Sequence, residues 1–140
     1  MSSAPCEVES SDELAITGDR DVVRVRQAMR TAAVRATLSL VDQTKVVTAA
    51  SELARNTLIY GGGGTARVEV VNNGRRQGVR VVFEDRGPGI ADLDLALKDG
   101  YTTGTGLGLG LSGARRLVDE FHIDSNLGQG TRVEVTKWRR

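Results

Sequence analysis

The apolar positions of the first 60 residues recur mostly with helical spacing. Apolar residues over 21–40 fall three or four apart and predict one helix, and a broader apolar face over 42–60 predicts a second helix packed on more than one side. The short apolar run 14–17 predicts an edge strand before them. The polar, acidic residues 1–12 predict a poorly ordered tail. Residues 18–21 predict a turn with an aspartate that caps the first helix.

The second half of the chain alternates apolar and polar residues with the period of strands. Runs over 66–72 and 78–84, joined through Asn73-Gly74, predict an antiparallel hairpin with Arg75 and Arg76 at its exposed tip. A short helix over 90–98 and a longer one over about 110–121 follow. Strands over 122–127 and 131–138 then predict a second hairpin, so the chain is of the α/β class.

Composition adds limits to this picture. The 140 residues fit one domain, which we place at 13–140, and 19 basic against 18 acidic residues leave a net charge of +1. This balance gives no electrostatic reason to expect a nucleic acid or membrane partner. Cys6 is the single cysteine, which excludes an internal disulfide. With no apolar run of membrane-spanning length and no signal-peptide pattern, we expect a soluble cytoplasmic protein.

A glycine-rich run over 101–111 precedes the last predicted helix. Every second position of its centre is glycine, in the order Gly104, Thr105, Gly106, Leu107, Gly108, Leu109 and Gly110. Glycine lets the main chain approach an anion, and a helix N-terminus adds free N–H donors, so the run is a candidate phosphate loop. It fits neither GxGxxG nor a Walker A motif. Taken alone, it is equally compatible with a flexible loop without a ligand.

Two further places carry candidate chemistry. Glu52 and Asn56 lie four apart on the second helix and project from one face. They form either an ordinary surface hydrogen bond or a general base beside a metal ligand. Asp85, Gly87 and Gly89 end the first hairpin, where they form either a simple turn or a rigid turn that presents one carboxylate.

The order of these signals, with Gly130-Thr131 opening the last strand, resembles the Bergerat (GHKL) ATP-binding fold of DNA gyrase, heat-shock chaperone ATPases, histidine kinases and MutL. The resemblance runs from residue 14 to the C-terminus. It implies a two-layer α+β sandwich with a mixed, mostly antiparallel sheet and helices on one face. It also implies ATP and Mg²⁺ as cofactors.

The resemblance assigns a role to each box. In the family, the position of Glu52 is the general base and that of Asn56 binds Mg²⁺. The position of Asp85 accepts a hydrogen bond from the adenine amino group, and Thr131 supports the adenine site. Gly87 and Gly89 let the backbone approach the nucleotide, and the run 104–110 closes over the phosphates.

Within that superfamily the chain is similar to RsbT-like switch kinases of the bacterial stressosome, in the anti-sigma-factor kinase group. The shared segments are SELARN at 51–56, EDRGPGI at 84–90, DGYTT at 99–103, RLVDEF at 116–121 and KWRR at 137–140. The tail before residue 13 and the glycines at 61–64 depart from the family pattern. His122 lies on no suitable phosphoacceptor helix, which disfavours a histidine kinase.

The resemblance implies a protein serine/threonine kinase that phosphorylates STAS-domain antagonist and scaffold proteins. It would then be released to activate a PPM-type phosphatase. An alternative is an anti-sigma factor that sequesters a sigma subunit directly, and a third candidate is a slow ATPase without a protein acceptor. The oligomeric state stays open at this stage.

Overall fold

The structure is a computed structural model that describes residues 6–98 and 108–140. Its elements are β1 (Glu7–Ile16), α1 (Asp19–Arg35), α2 (Leu40–Ile59), β2 (Gly64–Asn72), β3 (Gln77–Asp85), α3 (Leu93–Ala96), α4 (Gly108–Arg116), β4 (Glu120–Asn126) and β5 (Gly130–Trp138). Among these helices, none is long and apolar enough to cross a lipid bilayer.

The strands form one five-stranded sheet in the order β1-β2-β3-β5-β4, and each neighbouring pair in it is antiparallel. Both predicted hairpins are present, and β1 lies at an edge as expected. The fold class is therefore confirmed. Because β5 inserts between β3 and β4, the end of β3 meets the β4–β5 hairpin, which is distant from it in sequence, at one end of the sheet.

The core lies between the sheet and its helices. One face of β2 and β3 contributes alternate apolar residues such as Val68, Val70, Val81 and Phe83, all nearly inaccessible to solvent. α2 packs against α1, α4 and the sheet, which explains its broad apolar face. The C-terminal part of α2 is thereby fixed beside the end of β3.

The opposite face of the sheet carries charged side chains that form ion pairs with one another. Glu69 is buried there, and its carboxylate accepts hydrogen bonds from Arg80 Nε at 2.7 Å and Arg67 Nε at 3.3 Å. Burial alone would lower the pKa of Arg80, but the hydrogen bond and charge of Glu69 outweigh it, so the pKa is raised. The guanidinium therefore stays charged on this face.

The prediction of a poorly ordered N-terminal tail was wrong for residues 7–12. They form the first part of β1, and the ladder pairs Glu7 with Asn72 and Ser11 with Glu69. Glu9 accepts hydrogen bonds from the side chains of Asn72 and Gln77. The polar sequence was misleading because an edge strand with exposed side chains satisfies its backbone by pairing, without an apolar face. Residues 1–5 lie outside the described residues.

The ends of α1 and α4 also differ from prediction. Gly18 is the N-cap of α1 and has no side-chain cap; Asp21 accepts hydrogen bonds from the N–H and hydroxyl of Thr17. α4 ends at Arg116, five residues before the predicted 121, because the ladder pairs Glu120 and Phe121 with β5. Long-range strand pairing has overridden the helical pattern at this junction.

Candidate functional site

Three polar residues align at one end of the sheet. Asp85 is the last residue of β3 and pairs with Thr131 of β5, which in turn pairs with Ser125 of β4. The strand alternation turns their side chains toward the helices, in line with the buried Phe83 and Val133. The sheet itself therefore brings Asp85 and Thr131 together from positions 46 residues apart.

The Asp85 carboxylate is held by the turn that follows it. Its Oδ1 atom accepts a hydrogen bond from the Gly87 N–H at 2.9 Å. A side chain at Gly61 would collide with the Asp85 side chain, and one at Gly87 would collide with the backbone of Gly61. Gly61 belongs to the glycine-rich stretch after α2, which departs from the family pattern. Its missing side chain leaves the space that the Asp85 carboxylate occupies.

The same turn is seated on the β4–β5 connection. Gly89 has a φ of +76°, and a Cβ there would collide with the Asn126 carbonyl oxygen. The Gly128 N–H donates to the Pro88 carbonyl oxygen at 2.8 Å. Gly89 is therefore required for the turn itself, in addition to any role in letting a ligand approach.

Asn56 lies in the fifth turn of α2, near the C-terminal end of that helix, and borders the same cavity. Its carboxamide oxygen Oδ1 is buried and has no hydrogen-bond partner among the described residues. A buried polar atom without a partner is costly unless a ligand satisfies it. A neutral amide oxygen is a suitable ligand for a hard cation such as Mg²⁺, so the residues present fit that ion.

The cavity that these residues border is largely apolar. Its lining joins the end of α2, the turn after β3, α3, the start of α4 and β5, through Leu53, Asn56, Thr57, Tyr60, Gly61, Phe83, Asp85, Pro88, Gly89, Ile90, Ala96, Leu111, Thr131 and Val133. An apolar cavity lined also by a carboxylate and a hydroxyl suits a heterocyclic base.

Glu52 is placed differently from the other site residues. It is exposed, does not line the cavity and lies one helical turn before Asn56 on the same face of α2. A base that receives a proton from a second protein needs such access. Its catalytic role stays a prediction.

Most of the predicted phosphate loop is outside the described residues. Gly104, Thr105, Gly106 and Leu107 fall there. Gly108, Leu109 and Gly110 were expected in the loop, but they form the first turn of α4, which starts two residues earlier than predicted. The following residue, Leu111, is buried and lines the cavity. The start of α4 is therefore beside the candidate site.

Sequence reasoning missed several residues that build the site. Gly61 was interpreted only as a helix breaker, and Ser125 only as part of a strand. The apolar lining residues Leu53 and Phe83 followed the core pattern, so nothing in the periodicity marked them as neighbours of a ligand. The register of the predicted β4–β5 hairpin places Ser125 beside Thr131, but its place in a row with Asp85 depends on the pairing of β5 with the non-consecutive strand β3.

The model of the family described as histidine kinase-, DNA gyrase B- and HSP90-like ATPase matches residues 41–140. The chain belongs to this ATPase family. ATP is therefore its nucleotide class, and the predicted Bergerat resemblance is confirmed. The match begins within α2 and contains every candidate site residue.

Curated relatives narrow the group within the ATPase family. The chain is 42% identical over 120 residues to serine/threonine-protein kinase RsbT of Bacillus subtilis (strain 168), covering 86% of this chain and 90% of the relative. It is 30% identical over 105 residues to anti-sigma F factor of Clostridium kluyveri, covering 71% and 72% of the two chains. The prediction of an RsbT-like serine/threonine kinase is thereby confirmed.

Solved structures share the fold of this ATPase. The RsbU and RsbW domains of a Mycobacterium tuberculosis protein match with a TM-score of 0.65 and 21% identity over 94% of this chain. This chain spans only 33% of the length of that one. A chain of the SiaB-SiaC complex from Pseudomonas aeruginosa matches with a TM-score of 0.56 and 13% identity, covering 94% of this chain and 90% of the other.

Proposed function

We propose that this ATPase-family member is a partner-switching protein kinase that transfers the γ-phosphate of Mg²⁺-ATP to serine or threonine of STAS-domain antagonist and scaffold proteins. Once released from them, it activates a PPM-type phosphatase. The observation that carries the proposal is the buried Oδ1 of Asn56, which has no hydrogen-bond partner among the described residues, at a cavity that Asp85 and Thr131 also line. The likeness to a named serine/threonine kinase supports the class of reaction.

The nucleotide base occupies the apolar cavity in this proposal. The Asp85 carboxylate, fixed by the Gly87 N–H, accepts a hydrogen bond from the adenine amino group. Thr131 contacts the same edge of the base, and Gly89 keeps the backbone close to it. Gly87 does not line the cavity and contributes through its N–H bond to Asp85. These contacts orient the nucleotide so that its phosphates lie toward Asn56 and the N-terminus of α4.

The phosphates are held at the other end of the cavity. Asn56 would hold Mg²⁺ through Oδ1, and the ion when bound neutralises charge on the phosphate oxygens. The glycine run 104–110 closes over the phosphates. Glu52, exposed one turn away, accepts the proton of the incoming serine or threonine hydroxyl. The reaction needs no covalent enzyme intermediate.

A transfer assay tests the roles of Glu52 and Asn56. The purified chain is incubated with Mg²⁺, γ-labelled ATP and a STAS-domain protein encoded beside it. Glu52→Gln keeps the shape of the side chain but removes the base, so we expect a loss of at least about a hundredfold in transfer rate. ATP binding should persist. Asn56→Ala should lose both transfer and Mg²⁺-dependent ATP binding.

Controls separate this mechanism from a general loss of structure. Arg55→Gln changes an exposed residue between the two candidates and should transfer normally. If Glu52→Gln labelled the STAS protein at the wild-type rate, the assignment of the base would be wrong. If the wild-type chain bound no ATP, the whole proposal would fail.

The relatives named anti-sigma F factor support a second candidate function. In it, the chain sequesters a sigma subunit, and phosphorylation of an antagonist releases that subunit. Nucleotide binding by Asn56 and Asp85 would be the same in both cases. Purified sigma subunits from the same genome decide between them: stable capture of one of them, with no phosphatase activation, favours the anti-sigma function.

A further inference from the structure

Ser125 lies behind the proposed adenine site and has no assigned role in it. Its side chain belongs to the row formed with Asp85 and Thr131 across three neighbouring strands. It is partly buried, and it does not line the cavity itself. Any effect of Ser125 on a ligand must therefore pass through the groups that it touches.

The Ser125 hydroxyl contacts three such groups. It accepts a hydrogen bond from the Ile90 N–H at 2.8 Å, donates one to the Gly130 carbonyl oxygen at 3.3 Å and lies 2.8 Å from Thr131 Oγ1. A hydroxyl has one proton and two lone pairs, so these three contacts use its whole hydrogen-bonding capacity. Two of the three partners, Ile90 and Thr131, line the cavity.

The bond to Ser125 fixes the orientation of the Thr131 hydroxyl. Because the single Ser125 proton is donated to the Gly130 carbonyl oxygen, Thr131 donates along the 2.8 Å contact and can meet a ligand only as an acceptor. Without Ser125, the Thr131 hydroxyl would rotate and could either donate or accept. The hydrogen bond to Ile90 fixes the turn after Asp85 from the other side.

Fixed polarity at this edge matters because purines differ there. Adenine carries a 6-amino donor where guanine carries a 6-oxo acceptor. The Asp85 carboxylate only accepts, but a carboxylate can also bind the N–H groups of guanine, so it does not by itself exclude that base. Because the Thr131 hydroxyl cannot turn to donate, it cannot form a hydrogen bond with the 6-oxo oxygen of a guanine that has shifted in the site.

We infer that Ser125 is a positioning residue that sets the preference for adenine over guanine by orienting Thr131 and the Ile90 backbone. The inference rests on the proposed function, because it needs the base to lie against Asp85. It assigns Ser125 to specificity and affinity, and leaves phosphoryl transfer to the residues at the other end of the cavity.

Calorimetric binding of ADP and GDP tests this inference. For Ser125→Ala we expect ADP affinity to fall about fivefold to tenfold, the effect of one lost hydrogen bond, with a smaller change for GDP. The ratio of ADP affinity to GDP affinity, which measures the preference, should therefore decrease. Ser125→Thr retains the hydroxyl and should restore most of the preference. In the transfer assay, Ser125→Ala should raise KM for ATP and leave kcat nearly unchanged.

A double-mutant cycle with Thr131→Val separates this role from a general effect on packing. If Ser125 acts through Thr131, then Thr131→Val alone narrows the preference, and adding Ser125→Ala narrows it little further. Full additivity of the two changes would overturn the inference. Thr131→Val also keeps the test decisive if Ser125→Ala does not fold, because an unchanged preference in Thr131→Val would itself refute the role.

Asp85→Asn distinguishes the failure of this inference from that of the proposed function. If Asp85→Asn abolishes ADP binding while Ser125→Ala behaves as wild type, the inference is wrong and the adenine site stands. If Asp85→Asn binds ADP as well as wild type, the base does not lie there and both proposals fail.

Discussion

At the scale of single residues, glycine positions show how tightly the candidate site is built. Gly130 has a φ of +91°, and a Cβ there would collide with the Asp85 carbonyl oxygen. Gly74, in the β2–β3 turn, has a φ of +92° but nothing within 4 Å of such a Cβ. The two positions have nearly the same φ and differ in their surroundings.

This pair gives a prediction for Gly130→Ala. We expect Gly74→Ala to lower the free energy of unfolding by about 1–2 kcal/mol, the cost of a left-handed backbone for alanine. Gly130→Ala adds a collision with Asp85 and should cost about 3 kcal/mol or more. Urea unfolding measures both. Equal losses of unfolding free energy would show that the backbone at Asp85 shifts at little cost to accommodate the added methyl group. The site would then be less rigid than its contacts indicate.

At the scale of elements, the start of α1 depends on one carboxylate. Asp21 accepts hydrogen bonds from the backbone N–H and then the hydroxyl of Thr17, and these bonds lower its pKa below the ordinary 3.8. A lowered pKa in the folded state stabilises the fold above the unfolded pKa. That contribution is lost as the pH falls through the folded value.

The expected stability of Asp21→Asn follows from the lowered pKa of Asp21. The variant should be less stable than wild type at pH 7, and the difference should shrink as the pH falls below the ordinary value of 3.8 and through the lowered pKa of folded Asp21. Asp19→Asn, which removes a charge from the same helical turn without the Thr17 contacts, serves as the control. Thermal unfolding from pH 7 to pH 3 measures both. A difference that is constant with pH would contradict the role of the Asp21 charge.

At the scale of the whole molecule, a buried charge cluster ties the C-terminus to α2. Lys137 Nζ, on a side chain 3% exposed, lies 3.3 Å from Asp119 Oδ1 and 3.6 Å from Asp42 Oδ1. Arg140 also pairs with Asp119 at 2.7 Å but is 64% exposed. The cluster joins β5, the loop before β4 and the start of the helix that carries Asn56.

Lys137→Met should therefore be far more costly than Arg140→Met. Removing one partner of a buried ion pair leaves uncompensated charge and costs about 3–5 kcal/mol, whereas an exposed pair contributes about 1 kcal/mol or less. Guanidinium unfolding of the two variants makes the comparison, and each removes one positive charge. Similar losses would mean that the buried pair contributes no more than the exposed one.

The sequence by itself determined the order of most elements and the family of the chain. Helical and strand periodicity are local, so the first helix and the Asn73-Gly74 hairpin were readable without partners, although the helix was predicted over 21–40 and spans Asp19–Arg35. The boxes around Asn56, Asp85 and Thr131 were also visible, because glycine and carboxylate spacing is written along the chain. These signals sufficed for the ATPase-family assignment.

Only the tertiary structure decided which residues meet. Residues 7–12 lack an apolar pattern, and their place in β1 depends on pairing with β2 some 60 positions away. The row of Asp85, Thr131 and Ser125 depends on β5 inserting beside β3. The burial of Asn56 Oδ1 depends on the elements that pack against α2. Long-range strand pairing and the burial of a single polar atom arise only in the folded chain, so local periodicity does not predict them.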